Sequence, residues 1–420
     1  MRFGLCTVAL GALLAAACQP TGPAPLTSAP AGATAPAWSR HELGAGGPQL
    51  GSVIVGGSGL LAAGQTAQGG GIWSSVDGLT WTAVVAPVTG RQITALAAGP
   101  GGFLAVGSEP TGDERQALVL RSTDGADWAP VAGPPEGAFD LSGVAASRDR
   151  WVAIGSGSSA SIWLSEDGAT WRAVTTPEDA GRLTAVAAGG PGFVVVGERG
   201  SNVSGVPAAV VLISADGATW TGLADAAAFG ATSLQAVAAT ADQVLVGGVE
   251  LHPTTGAATP AIWASPDGGR WTRATVDDPR ASSGGTDGQP DFFEGALVTR
   301  FVRTDGGWLA VGTGTDSRVD TMAQDLAIWQ SADGRAFRRL DHALRFEAGV
   351  DPGFKYGPTG AAAWDGKLAI SGIVTGPQGA VWLSPPRDGG TEPSARPSLA
   401  PPSEGSPEPR AATPAPMASG

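Results

Sequence analysis

A ten-residue stretch, Ile162-Trp163-Leu164-Ser165-Glu166-Asp167-Gly168-Ala169-Thr170-Trp171, returns along the chain at near-regular intervals. Its kernel is Ser-x-Asp-Gly-x-x-Trp. The same kernel runs from Ser75 through Asp77 to Trp81, from Ser122 through Asp124 to Trp128, from Ser214 through Asp216 to Trp220, and from Ser265 through Asp267 to Trp271. A sixth copy, Ser331, Asp333 and Gly334, ends on Phe337 in place of the tryptophan. Asp-Gly between two β-rich apolar flanks signals a hairpin, because glycine takes positive φ without steric cost. The aspartate can accept hydrogen bonds from the amides of its own turn, and the tryptophan supplies a large apolar plate. No active site needs six equivalent aspartates. Asp77, Asp124, Asp167, Asp216, Asp267 and Asp333 are therefore read as structural.

A second repeat lies between these hairpins. Ile93–Gly107, Leu141–Gly155, Leu183–Gly197 and Leu234–Gly248 each read as a small-residue strand, a turn, and an apolar strand ending in glycine; residues 296–312 and 359–372 are looser copies. With the Asp-Gly hairpin this makes four strands about every 45 residues, the period of a propeller blade. Counting the second-strand glycines Gly64, Gly107, Gly155, Gly197, Gly247, Gly312 and Gly372 predicts seven blades. Neighbours cover both faces of a blade, so its strands should lose the polar–apolar alternation. Trp73, Trp163, Trp263, Trp329 and Trp382 on the third strands are expected to pack between blades.

The seventh hairpin stops at Pro385-Pro386, and its outer strand is missing. Trp38 precedes Gly64 by the same number of positions that separate Trp81 from Gly107 and Trp171 from Gly197. Residues 37–43 are thus expected to pair with 380–384 and close the ring, leaving no free sheet edge.

The repeated kernel resembles the Asp-box, or BNR repeat, of the sialidase-like β-propellers, over roughly residues 37–384. The resemblance implies an all-β propeller of four-stranded antiparallel blades; the count of seven comes from the glycines and departs from the six blades usual for sialidases. It also implies that the boxes are structural staples on the face away from any active site. A sialidase-like chemistry would need three arginines near the channel, a Tyr–Glu nucleophile pair and an Asp acid/base. This chain departs from that pattern. It lacks the Arg-Ile-Pro signature, its first inner strand has no arginine, and its lone tyrosine, Tyr356, falls between strands.

The two ends read differently. Residues 1–17 have one arginine and then an apolar run of roughly 15 residues, shorter than the ~20 needed to span a bilayer, as in a secretory signal. Ala15-Ala16-Ala17-Cys18 resembles a bacterial lipobox, which makes Cys18 the lipidated first residue; cleavage after Ala17 leaving a free thiol is the alternative. Cys6 lies in the signal, so the mature chain has no intramolecular disulfide. Residues 18–36 are a Pro/Ala-rich linker, and 385–420 a Pro/Ser/Ala-rich tail with too little apolar surface to order itself.

Function is expected at the long connections between the fourth and first strands and between the second and third, which share one face of a propeller. Asp291, Phe292, Phe293, Asp316, Arg318, Asp320 and Tyr356 are the candidate residues there. Asp316 and Asp320 could be calcium ligands, but an acidic solvated loop is the plainer reading. His41, His252 and His342 lack metal-ligand spacing. No cofactor and no metal are expected. The formal net charge is −13 and only Lys355 and Lys367 are lysines, so nucleic acid is not an expected partner. The expected role is a non-enzymatic, monomeric lipoprotein of the cell envelope that holds a protein or glycan. A carbohydrate-active hydrolase distantly like the sialidases is one alternative, and an assembly factor for a membrane complex another.

Overall fold

The computed structural model describes residues 38–43, 46–133, 135–157, 161–177, 180–200, 207–223, 226–252, 258–277, 297–315, 324–340, 358–374 and 378–385. They form seven antiparallel sheets, with strands a to d running from the centre outward. The inner strands a are Gln49–Gly56, Gln92–Gly99, Ala138–Ala146, Arg182–Gly189, Thr232–Ala239, Leu297–Thr304 and Pro358–Trp364. Each is followed by its b and c strands in sequence order. One 3-10 turn, Ala226–Phe229, is the helical element among the described residues.

Seven apolar clusters fill the seven junctions. Leu61, Ala63 and Ile72 of blade 1 meet Ile93, Leu96 and Leu118 of blade 2, and equivalent sets recur around the ring to blades 7 and 1, where Ala362, Val381 and Leu383 meet Leu50, Leu60 and Trp73. Trp73, Trp163, Trp263, Trp329 and Trp382 are all buried, each turned toward the preceding blade. That is the packing expected of strands covered on both faces.

Ser39–Glu42 closes the ring as the outer strand of blade 7. Its register is Ser39↔Leu383, Arg40↔Trp382, His41↔Val381 and Glu42↔Ala380. Blade 6 departs from the four-stranded plan. Thr275–Asp277, after the outer strand of blade 5, crosses to pair in parallel with Ala336–Arg339 and adds a fifth strand. Phe337, in the sixth copy of the kernel, pairs with Val276 of this strand and is buried.

Every inner strand carries a β-bulge near its start. The extra residues are Gly51-Ser52, Thr94, Ser142, Thr184, Gln235, Thr299 and Thr359. A bulge leaves a residue out of the ladder and re-aims it. Here the freed hydroxyls bridge blades. Thr94 donates to Leu141 O at 2.5 Å, Thr184 to Leu234 O at 2.7 Å, Thr299 to Pro358 O at 3.5 Å and Thr359 to Leu50 O at 2.5 Å. Ser52 Oγ accepts from the amide of Leu96.

The same bulge explains the second-strand glycines. A Cβ on Gly107, Gly155, Gly197, Gly248 or Gly312 would stand 1.7 to 2.1 Å from the carbonyl oxygen of Gln92, Asp140, Arg182, Ser233 or Leu297. The bulge pushes the inner backbone across that position, and only glycine leaves room. In blade 5 this residue is Gly248, opposite Leu234, and not Gly247 as the repeat count has it. The space beside Gly247 is instead taken by Phe301 of blade 6.

The Ser-x-Asp-Gly turns repeat one geometry at the opposite ends of the blades. In the first, Ser75 Oγ accepts from Gly78 N at 2.8 Å and donates to Asp77 Oδ1 at 3.1 Å. Asp77 Oδ1 also accepts from the amides of Leu79 and Thr80, both at 2.8 Å. The serines are buried and the aspartates exposed. The glycines hold φ between 71° and 83°. The indole N–H of Trp81, Trp128, Trp220 and Trp271 donates to the turn glycine's carbonyl; that of Trp171 is buried without a partner. A side chain on the glycines would also strike the preceding blade: Leu383 beside Gly78, Leu61 beside Gly125, Leu164 beside Gly217 and Ile213 beside Gly268. Each turn is thus a joint between blades as well as a hairpin.

Backbone amides hold all six aspartates below the usual carboxylate range, Asp77 and Asp167 at about 2.

Three outcomes follow from this architecture. A chain beginning at Ala45 lacks the closing strand and exposes the edge of Gln378–Leu383; its melting temperature should drop sharply, and an unchanged value would exclude closure by this strand. Gly197→Ala should lose ~1–3 kcal/mol of unfolding free energy through overpacking, whereas Gly133→Ala, with nothing within 4 Å of the added methyl, should stay within ~0.5 kcal/mol. The depressed aspartates bind fewer protons when folded. Their stabilisation is complete above the unfolded value of about 3.9 and is lost as pH falls through their lowered folded values, about 2 for Asp77 and Asp167. Unfolding titrations at pH 5, 3.5 and 2 should show stability falling with each step. A flat profile would mean that the turns contribute nothing.

Candidate functional site

Strands a, b, c and d alternate in direction, so the a–b turns and the Ser-x-Asp-Gly turns share one edge of the ring. The b–c and d–a connections share the other. The first edge is tied to itself. Arg150 of blade 3 donates to the Asp216 carbonyl of blade 4, and Gln243 of blade 5 to the Asp333 carbonyl of blade 6, each at 2.7 Å. Asp77, Asp124, Asp167, Asp216, Asp267 and Asp333 are all committed to their own turns, so their carboxylates serve the fold.

The second edge, around the channel mouth, carries side chains that the repeat does not require. Arg182 and Glu198 are cross-strand partners in blade 4, bonded at 2.6 and 3.1 Å. Glu198 also accepts from the hydroxyl of Ser233 in blade 5, whose oxygen takes the Gln235 amide at 2.6 Å. Partial burial pushes the Glu198 carboxyl up, but the Ser233 hydroxyl and the Arg182 guanidinium outweigh it and hold the group below its ordinary value. This network ends on the one inner strand, that of blade 5, whose bulge residue is an amide, Gln235, in place of a hydroxyl or the Gly-Ser pair. Arg91 pairs with Glu109 at 3.0 Å, and Arg273 reaches from an outer strand to Glu250.

Arg300 follows the blade 6 bulge, where blades 2 to 5 and 7 have Ala95, Gly143, Ala185, Ala236 and Gly360. Its guanidinium donates to Thr299 O at 2.7 Å and to Thr359 O of blade 7 at 3.1 Å. Surrounding protein lowers its pKa by desolvation, yet the side chain keeps solvent-accessible surface, as a group standing in the channel would. An arginine stays charged through such a shift.

Blade 3 has a second irregularity. Its inner strand is bulged between Ala138 and Asp140 as well as after Leu141. No other inner strand has two such shifts. Phe139, the extra residue, is 48% exposed. Asp140 is half-buried, with Oδ1 shielded from solvent and without a hydrogen-bond partner.

The residues expected from sequence to form the binding face, Asp291, Phe292, Phe293, Asp316, Arg318, Asp320 and Tyr356, lie outside the described residues, as does Cys18. The segments that hold the seven leave and rejoin the ring at Asp277 and Leu297, Thr315 and Gln324, and Leu340 and Pro358, which are d–a or b–c junctions. Among the described residues no group of three His, Cys, Asp or Glu side chains is placed to hold a metal ion, and no helix is long and apolar enough to cross a membrane. Sequence reasoning passed over Phe139, Asp140, Gln235 and Arg300. For two of them a signal was available: Gln235 and Arg300 break the pattern when the seven inner strands are aligned on their bulges.

No family model matches the sequence, and no curated protein matches it either. Solved structures do. The chain is similar to a streptogramin B lyase at a TM-score of 0.54 and 8% identity, over 83% of this chain and 97% of that one. It is similar to virginiamycin B lyase from Staphylococcus aureus at a TM-score of 0.52 and 10% identity, over 83% and 99%. A catalytically inactive form of that lyase, solved with quinupristin, matches at 0.52 and 11%, over 83% and 99%. At these identities the likeness is one of fold: the chain is a seven-bladed β-propeller.

Proposed function

We propose that this chain is an Asp-box propeller lipoprotein of the bacterial envelope that holds a protein or glycan at the channel-mouth edge without transforming it. In this reading residues 1–17 are the signal, Cys18 carries the lipid, residues 18–36 space the propeller from the membrane, and 385–420 form a solvated tail. The protein acts as a monomer. The observation that carries the reading is the contrast between the two edges. One spends its polar groups on its own turns and on the next blade. The other presents arginine–glutamate pairs, Gln235, Arg300, Asp140 and an exposed phenylalanine that the repeat does not need. Irregular groups on a regular scaffold are where recognition is built.

A photo-cross-linking residue placed at Gln92, on the channel-mouth edge, should give a discrete adduct in cells. The same residue at Glu166, in a Ser-x-Asp-Gly turn, should give none. Adducts from Glu166 alone would overturn the assignment of the face. The purified protein should leave a panel of fluorogenic glycosides, sialosides included, unhydrolysed. Turnover that disappears on changing Asp140 or Glu198 to the amide, with folding intact, would replace the binding reading with the hydrolase. Cys18→Ala should move the protein from the membrane fraction to the soluble one, and an unchanged distribution would remove the anchor.

A further inference from the structure

The carboxylates at the ends of the second strands come with their cations: Glu109 with Arg91, Glu198 with Arg182, Glu250 with Arg273. Asp140, on the inner strand of blade 3, does not. Among the described residues no arginine, lysine or histidine pairs with it, and its Oδ1 is both shielded from water and unbonded. A shielded carboxylate oxygen without a donor is a cost that a native structure keeps only for a reason. The register position gives no such reason. Arg182 stands there in blade 4 and Gln92 in blade 2, and the fold is the same.

The local backbone sharpens the case. Ala138 pairs with Gly157 and Asp140 with Ser156, so Phe139 is fitted in as an extra residue between them. Such bulges are over-represented beside functional sites, where they re-aim a side chain. This one puts a phenylalanine into solvent, whereas the other large aromatics among the described residues are mostly packed between blades. Ser142 and Ser156, both exposed, flank the pair on the same two strands, and Gln92 is exposed at the matching place in blade 2. The site therefore has an uncompensated anion, an aromatic side chain open to solvent and small neutral neighbours on its own two strands, while Arg182, at the matching place in blade 4, is paired with Glu198.

We propose that Asp140 and Phe139 form a binding site for an organic cation, an ammonium or guanidinium group, at the channel-mouth end of the inner strand of blade 3. The ion pair would supply the donor that Oδ1 lacks, and a cation is attracted to an aromatic face. A neutral sugar could donate a hydroxyl to the same oxygen but would leave the charge uncompensated, and so fits less well. The inference deepens the binding reading above and rests on it. The cation could belong to a small amine or to a lysine or arginine of a protein partner; the chemistry is shared.

Calorimetric titration of the purified full-length protein separates these cases. Choline and methylguanidinium stand for the small molecules, and a tetralysine and a tetra-arginine peptide for a protein partner; glucose is the neutral control. At least one cation should bind, and glucose should not. Asp140→Asn, which keeps shape and removes charge, should weaken binding by more than about tenfold. Phe139→Ala should weaken it by roughly tenfold. Asp140→Asn should melt at the same temperature or higher, because it removes an unpaired charge, so lost binding could not be ascribed to misfolding. Binding of choline but not the peptides would identify a small amine, and the reverse a basic partner. No cation binding to the native protein, or binding unchanged in Asp140→Asn, would overturn the proposal. A channel-mouth cross-link that persists in Asp140→Asn would leave the broader binding reading standing while this assignment fails.

Discussion

The bulge near the start of each inner strand is the constraint on which the ring depends. Seven strands converge on one axis, and each must present hydrogen-bonding groups to its neighbour as well as to its own sheet. The bulge releases one side chain from the ladder, and in blades 2, 4, 6 and 7 that side chain is a threonine whose hydroxyl reaches the next inner strand's carbonyl. The displaced backbone then lies over the facing position of the second strand. Any side chain there would collide with a carbonyl oxygen, so Gly107, Gly155, Gly197, Gly248 and Gly312 follow from the bulge. Hydroxyl and glycine are two parts of one device.

The Ser-x-Asp-Gly turns do related work at the other edge. Their buried serine and exposed aspartate satisfy the turn's own amides. Their glycine is forced twice, by a φ near +75° that disfavours side chains and by an apolar side chain of the preceding blade. Between these two sets of joints lie the seven apolar clusters and the tryptophans of the third strands. Each blade is covered on both faces and could not bury its apolar surface alone, which is why the edge left open by Pro385 is completed by a strand from the far end of the chain. The stability of blade 7 is therefore tied to residues more than three hundred positions away.

Recognition is a matter of departures from this regularity. Turns and bulges that obey one rule carry no information about a ligand. Gln235 in place of a hydroxyl, Arg300 in place of a small residue, and the double bulge that extrudes Phe139 beside Asp140 do carry it. They occur on the inner strands of blades 3, 5 and 6 at the edge where the connections are longest. The lyase-like neighbours share the scaffold. A scaffold of this kind hosts many chemistries, and site residues decide among them.

The architecture was legible in the sequence because its determinants are local and repeated. The Asp-Gly kernel, the third-strand tryptophans and the spacing of Trp38 from Gly64 each encode their own structural role, so blade number and ring closure could be read without coordinates. The repeat glycine of blade 5 was misread by one residue, because Gly247 and Gly248 are adjacent and only pairing with Leu234 distinguishes them. The fifth strand of blade 6 had no local signature: Thr275–Asp277 becomes a strand only because Ala336–Arg339 offers it an edge. The site was least legible of all. The expected residues were chosen for clustering in long connections, whereas Asp140 and Arg300 look ordinary in their own segments. Their character, an unpaired carboxylate oxygen and a cation held by carbonyls of two blades, arises from groups brought together across the ring. Chain-local chemistry determined the blades, and only the packing of one blade on the next decided which charges were left without partners.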